Sequence, residues 1–162
     1  GGTYIEVVSA LDHPASEAAP FGRAVRERAE DGGGWLGWVV SVDDLTPVES
    51  RLGREAVPGH RVRPDGADLT WKQIGVLDLL DDPQLPYFIE WADARQHPSV
   101  GFQTPVKITE ISMSGSRETL EKWLGGALDN ALDGVALSFV EDESPGISAV
   151  AFQTAHGAVV ID

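Results

Sequence analysis

One order of elements occurs twice along the chain, and this recurrence restricts the fold more than any other feature. Residues 37–93 read as strand, helix, strand, strand, strand, and residues 106–162 give the same order again. A period of about 60 residues is what two copies of a single βαβββ unit would produce. In the first copy, Trp38-Val39-Val40-Ser41-Val42 is rich in β-branched and aromatic types and reads as a strand. Thr46-Pro47-Val48-Glu49 then offers an N-cap at Thr46, a proline in the first turn and a capping box closed by Glu49, for a helix running to Leu52 or Gly53. Residues 59–63 and 69–76 read as strands on either side of the turn Pro64-Asp65-Gly66. Residues 77–86 are acidic and proline-bearing and read as a loop, and Tyr87-Phe88-Ile89-Glu90-Trp91 is the closing strand. In the second copy, residues 107–113 form a strand. Ser116 caps a helix with Leu120, Trp123 and Leu124 on one face, and residues 135–140, 148–154 and 158–161 are three further strands. Pro145-Gly146 and Ala155-His156-Gly157 are the turns between those last three.

Upstream, residues 3–8 read as a short strand, residues 10–20 as a polar connection, and residues 21–31 as a helix carrying Phe21, Val25 and Ala29 on one face. Gly32-Gly33-Gly34 stops that helix. A shorter echo supports duplication: Tyr4-Ile5-Glu6 is followed by His13-Pro14, and Phe88-Ile89-Glu90 by His97-Pro98, with the His-Pro pair starting seven residues after the glutamate in both. Strand-like residues directly after Gly1-Gly2-Thr3, with no methionine, read as a fragment or as a chain trimmed at its N-terminus. The expected organisation is therefore a remnant of an N-terminal module over residues 1–36, its last strand plus a connecting helix. A βαβββ module over 37–99 and a second, more divergent one over 106–162 follow.

Composition narrows the function classes. The 162 residues include no cysteine, which excludes a disulfide, a zinc–thiolate site and a cysteine nucleophile and fits a reducing cytoplasm, the expected location. Twelve Lys and Arg against 26 Asp and Glu leave a net charge of −14, which repels nucleic-acid phosphates and argues against docking on an anionic membrane. No apolar run reaches the length of a membrane span, and no signal peptide opens the chain. Gly32-Gly33-Gly34 lacks the Lys-Ser/Thr of a phosphate loop, and Gly115-Ser116-Arg117 is not a nucleophile elbow. There is no paired-histidine zinc motif and no EF-hand loop.

Among the residues able to carry chemistry, Glu6 and Glu90 stand out. Strand side chains alternate between faces, so Glu6 shares a face with Tyr4 and Val8, and Glu90 shares one with Phe88 while Ile89 and Trp91 point the other way. A carboxylate in so apolar a strand is costly to bury unless it is paired or ligating. The alternatives are a ligand or a general base on one side and an edge-facing or salt-bridged glutamate on the other. Arg61 and Arg63 share a face of one expected strand, opposite His60 and Val62, and can either clamp an anion in a fork or pair with surface acids. Trp71 shares a face with Leu69 and Gln73 and either floors a ligand cup or fills the core. Trp38, Trp91 and Trp123 read as core, with Trp38 the one placed to reach a cup. His13, His97 and His156 stand beside proline or glycine in expected turns, where a hydrogen-bonded or solvated histidine is the common role.

The segments Gly1-Gly2-Thr3-Tyr4-Ile5-Glu6-Val7, Pro20-Phe21-Gly22-Arg23-Ala24, Gly37-Trp38-Val39-Val40-Ser41-Val42-Asp43-Asp44, Arg63-Pro64-Asp65-Gly66 and Phe88-Ile89-Glu90-Trp91 together resemble bacterial glyoxalase-like domain proteins of the vicinal oxygen chelate superfamily. The resemblance is closest over residues 1–99. It implies an α+β fold of repeated βαβββ modules whose mixed sheets curl into a cup, with the helices packed outside. In metal-using members the cup holds a divalent ion on His and Glu from the first and last strands of each module. Glu6 and Glu90 match the last-strand glutamates, and Trp38 stands where the first-strand histidine of a module belongs. Two functions follow as expectations. One is a metal-dependent lyase, isomerase or dioxygenase acting on a small oxygenated molecule, with Glu6 and Glu90 as ligands or catalytic bases and the ion as Lewis acid. The other is a metal-free protein that sequesters a small molecule, holding it through Trp38, Trp71, Arg61 and Arg63. Whether the chain is an enzyme stays open between them. A homodimer is a further expectation, because folds of this class often build the cup across subunits.

Overall fold

A computed structural model describes residues 2–101, 104–130, 132–141 and 144–162. The elements run α1 (Pro14–Ala18), α2 (Pro20–Glu30), β1 (Val39–Ser41), α3 (Thr46–Leu52), β2 (Val57–Val62), β3 (Asp68–Ile74), α4 (Val76–Asp81) and β4 (Tyr87–Trp91). The second half contains β5 (Lys107–Ser114), α5 (Arg117–Leu124), β6 (Ala136–Phe139), β7 (Gly146–Thr154) and β8 (Gly157–Ile161). The result is a mixed α+β fold with two open four-stranded sheets, each combining one parallel pair with two antiparallel pairs, as in a curled cup-type sheet.

The two halves differ in element order, because α4 stands between β3 and β4 where the expected repeat had none, and they differ in strand order as well. The first sheet runs β1-β4-β3-β2, with β1 parallel to the closing strand β4. The second runs β6-β5-β7-β8, with β5 parallel to the strand that directly follows its helix. Irregularities in register between Ile108 and Glu110 and between Ser112 and Met113 bend β5 where it meets β7.

Local sequence explains most boundaries. Ser116 caps α5 by accepting the Thr119 N–H at 3.2 Å, and Gly125 ends it in the left-handed region. At α3 the cap differs from the expected box. Asp44 accepts the Thr46 N–H at 2.8 Å and Glu90 accepts the Leu45 N–H at 2.8 Å, so Thr46 is the first helical residue instead of the cap. Glu49 is occupied elsewhere, accepting the Ala56 N–H at 2.8 Å. Residues 77–86, expected as a loop, begin within α4. Gly75, at φ 99, turns the chain out of β3, and Val76, Leu79 and Leu80 then fall at helical spacing with Leu79 buried. Leu79 packs so closely on Gly37 that a Cβ there would lie 2.3 Å from its Cδ1. Residues 3–8, expected as a strand, join no sheet, and no backbone hydrogen bond ties residues 2–10 to the other described residues. β-forming composition supplies a suitable surface but not the partner edge that a strand requires.

The two halves share one core. Trp38 and Leu85 pack with Met113, Leu120 and Leu128, while Leu45, Val48, Ile74 and Phe88 form a second group under α3. Trp123 and Leu124 touch both groups. The Trp123 indole donates to the Pro86 carbonyl at 2.8 Å, and Arg51 donates to the Trp123 carbonyl at 2.9 Å, so α5 is tied to the start of β4 and to α3. Among the described residues, no helix is long and apolar enough to cross a membrane.

Candidate functional site

A cavity of about 790 Å³ lies between the two sheets. Its walls are the segment 2–8, the α2 side chains Phe21, Val25 and Ala29, the stretch 33–38 leading into β1, and alternate residues of β4. Ile108 and Ile111 of β5, Ile147 and Val150 of β7 and Ile161 of β8 close the far side. Period-two alternation decides which residues of β4 take part: Tyr87, Ile89 and Trp91 face the cavity, whereas Phe88 and Glu90 face α3.

That alternation relocates the residue singled out most strongly in the sequence. The face shared by Phe88 and Glu90 was expected to look into the cup. Instead Phe88 sits among Leu45, Val48 and Ile74, and the Glu90 carboxylate accepts the amide of Leu45. Glu6 does line the cavity, on an exposed stretch, and forms an ion pair with Arg61 at 3.6 Å. Trp38 lines it too, buried, with its indole donating to the Gln84 carbonyl at 3.0 Å. Trp71, Arg61 and Arg63 do not line it. Trp71 stands beside Trp91 on the neighbouring strand, ring centroids 5.6 Å apart, and lies across Gly59 with its indole donating to Gln73 at 2.8 Å. Arg63 closes the β2–β3 turn through its backbone amide, which donates to the Ala67 carbonyl at 2.8 Å. The structure therefore brings Glu6 and Arg61 together and keeps Glu90 apart from both.

The histidines divide. His13 caps α1, its Nδ1 accepting the Ala15 N–H at 3.1 Å. His156 occupies the β7–β8 turn, where its amide donates to Thr154 Oγ1 at 3.1 Å. His97 lines the cavity. Its ring meets Tyr4 edge-on at 5.4 Å and Trp91 at 6.2 Å. Its Nδ1 lies 2.7 Å from Ser99 Oγ and accepts the Ser99 N–H at 3.2 Å, which leaves the proton of the neutral ring on Nε2. Burial holds the His97 pKa below its ordinary value. Burial also raises Tyr4, with Glu6 adding to the rise and Arg61 opposing it. Tyr87 is pushed up to about 12, again mainly by burial, with Tyr4 and Glu6 contributing.

The aromatic corner of Tyr4, Tyr87, Trp91 and His97 was not singled out from the sequence as a site. The available signal was the alternation Tyr87, Ile89, Trp91, one polar-tipped aromatic on each side of an aliphatic, on the face opposite Glu90. Trp35 and Arg28, which also line the cavity, had no such signal.

Residues 1–128 match the family model described as the glyoxalase-like domain. The chain belongs to the glyoxalase-like domain family. No curated protein and no solved structure matches it. The family lies in the vicinal oxygen chelate superfamily, many members of which use a divalent metal. The donor set here does not fit such an ion. One of the two matching glutamates is spent on a helix amide, the other is paired with an arginine, and Trp38 has no donor to offer. Among the described residues, no three His, Asp or Glu side chains are grouped to hold a metal.

Proposed function

We propose that this glyoxalase-like domain binds a small, largely apolar molecule in the cavity between its sheets, without a metal held by its own side chains. The cavity carries the reading. At about 790 Å³ it has the size of a small-molecule site, and its walls are mostly aliphatic and aromatic with a few polar groups. The position of Glu90 supports the metal-free form of the reading, because the carboxylate best placed in sequence to ligate an ion faces α3.

The test combines two measurements on the intact chain. Trp35, Trp38 and Trp91 line the cavity, so intrinsic tryptophan fluorescence reports its occupation directly. Titration with hydrophobic aromatic compounds should change that emission saturably, and the Glu90→Gln variant should bind them with affinity within about twofold of wild type. Equilibrium dialysis against manganese, iron, zinc and nickel should leave no stoichiometric ion on the protein. One tightly held ion per chain, lost in Glu6→Gln and Glu90→Gln, would overturn the reading.

A further inference from the structure

Three accessible polar atoms in the aromatic corner of the cavity have no protein partner, and they define the chemistry of what the cavity takes. Tyr4, Tyr87 and His97 all line the cavity. Neither phenol oxygen, nor Nε2 of His97, is hydrogen-bonded to any described residue. None of the three is sealed off either: among the described residues, the buried unpartnered side-chain atoms are Trp91 Nε1 and Gln96 Oε1. The three atoms are therefore accessible and unsatisfied on residues that are otherwise half-buried.

All three are neutral donors near neutral pH. Burial keeps both phenols protonated and His97 uncharged, and the Ser99 amide on Nδ1 directs the imidazole proton to Nε2. Rings frame the donors: Tyr4 and Trp91 both contact His97 edge-on, and Tyr87 projects from the same face of β4 as Trp91. Glu6, on the same wall, pairs with Arg61. A flat ring fits between such aromatic walls, and donors without partners call for acceptor oxygens on it.

Charged ligands are disfavoured for separate reasons. An anion is disfavoured by the chain's net charge of −14. A cation would find Glu6 committed to Arg61. We propose that the cavity selects an uncharged, flat aromatic molecule carrying carbonyl or ether oxygens, received by the hydroxyls of Tyr4 and Tyr87 and by Nε2 of His97. This rests on the reading above that the cavity is a small-molecule site.

Four probes of one shape test it: naphthalene, methyl naphthyl ketone, naphthoate and naphthylmethylammonium, each titrated against tryptophan fluorescence and checked by calorimetry. The ketone should bind roughly 3- to 10-fold more tightly than naphthalene, the worth of one ordinary hydrogen bond, and the two ions more weakly than naphthalene. In the triple variant Tyr4→Phe, Tyr87→Phe, His97→Phe, which keeps three rings and removes all three donors, the ketone should fall to within about twofold of naphthalene while naphthalene itself is unaffected. Tightest binding by either ion, or a ketone advantage that survives the triple variant, would refute the inference. Equal binding of ketone and naphthalene would also refute it while leaving the cavity reading intact. Binding of none of the four would overturn both.

Discussion

Removing the Glu90 carboxylate tests whether this residue serves the fold or a reaction. Its oxygen accepts the Leu45 amide at 2.8 Å, and Leu45 is 1% exposed. In Glu90→Ala the amide is left buried and unsatisfied at the entrance to α3. A hydrogen bond to a charged group contributes about 1.5–3 kcal/mol, and an orphaned buried donor costs about 1–3 kcal/mol. These are two descriptions of one loss, so the expected destabilisation is about 2–3 kcal/mol. For a domain of this size that lowers Tm by about 4–12 °C. Glu90→Gln keeps an oxygen at the same reach and loses only the charge, so it should cost about 1 kcal/mol or less. Urea denaturation followed by circular dichroism measures both variants, with m expected to be unchanged. The cavity should be unaffected, because Glu90 lies on the opposite face of β4. The reasoning fails if Glu90→Ala is within about 0.5 kcal/mol of wild type, or if Gln is as costly as Ala. It fails equally if both variants keep full stability and lose divalent-ion binding.

Further outcomes follow from the same coordinates. The chain has two tyrosines, both shifted upward from the ordinary 10, so the midpoint of the absorbance titration should lie above pH 10, and Tyr87→Phe should remove the component near pH 12. Because the folded pKa of Tyr87 lies above its unfolded value, its contribution to stability is complete below about pH 10 and is lost as pH rises towards 12. For His97 the sign is reversed: its folded pKa lies below the ordinary 6.5, so stability is full above that value and falls as pH drops through the folded pKa. In His97→Gln this part of the acid destabilisation should disappear from chemical denaturation curves measured between neutral and mildly acidic pH. Gly59→Ala would place a Cβ 2.1 Å from Trp71 Nε1, so the indole must move; a loss of about 1–3 kcal/mol and an altered near-ultraviolet dichroism spectrum are expected. Trp38→Phe strands the Gln84 carbonyl and leaves a void in the shared core, and should cost about 2–4 kcal/mol by urea denaturation.

Much of the fold was legible because it depends on local patterns. Ser116 announces α5, and the residues at helical spacing behind it, Leu120, Trp123 and Leu124, do enter the core. The strand 87–91 was readable to the residue from its unbroken β-forming composition. Local pattern failed where the deciding partner was distant. The box at Thr46 would be satisfied by neighbours alone, but Glu90, 45 residues away, takes the Leu45 amide, and Asp44 takes that of Thr46. Residues 3–8 have the composition of a strand, yet whether they join a sheet depends on an edge that composition does not specify. For 77–86, aspartate and proline masked a short helix whose real signal was the spacing of Val76, Leu79 and Leu80.

The site was harder to read for a reason specific to β4. Alternation assigns its five residues to two faces but does not say which face looks into a cavity. Normally the polar face is the outer one, and a lone glutamate among apolar residues then marks a functional inward position. Here both faces are covered, one by α3 and the other by the second sheet across the cavity, so both must be apolar and neither is marked by polarity. Glu90 is then the exception on the helix face, explained by a backbone amide that needs an acceptor. On the cavity face the polar atoms are carried at the tips of aromatic rings, where residue type reads as core: Tyr87 and Trp91 count as hydrophobic in any pattern, although the Tyr87 hydroxyl is left without a partner. A carboxylate draws attention because burying it is costly, but that cost is as well met by capping a helix as by holding a ligand. The stronger indicator of a binding surface in this fold is the set of neutral donors that the protein leaves unsatisfied and open.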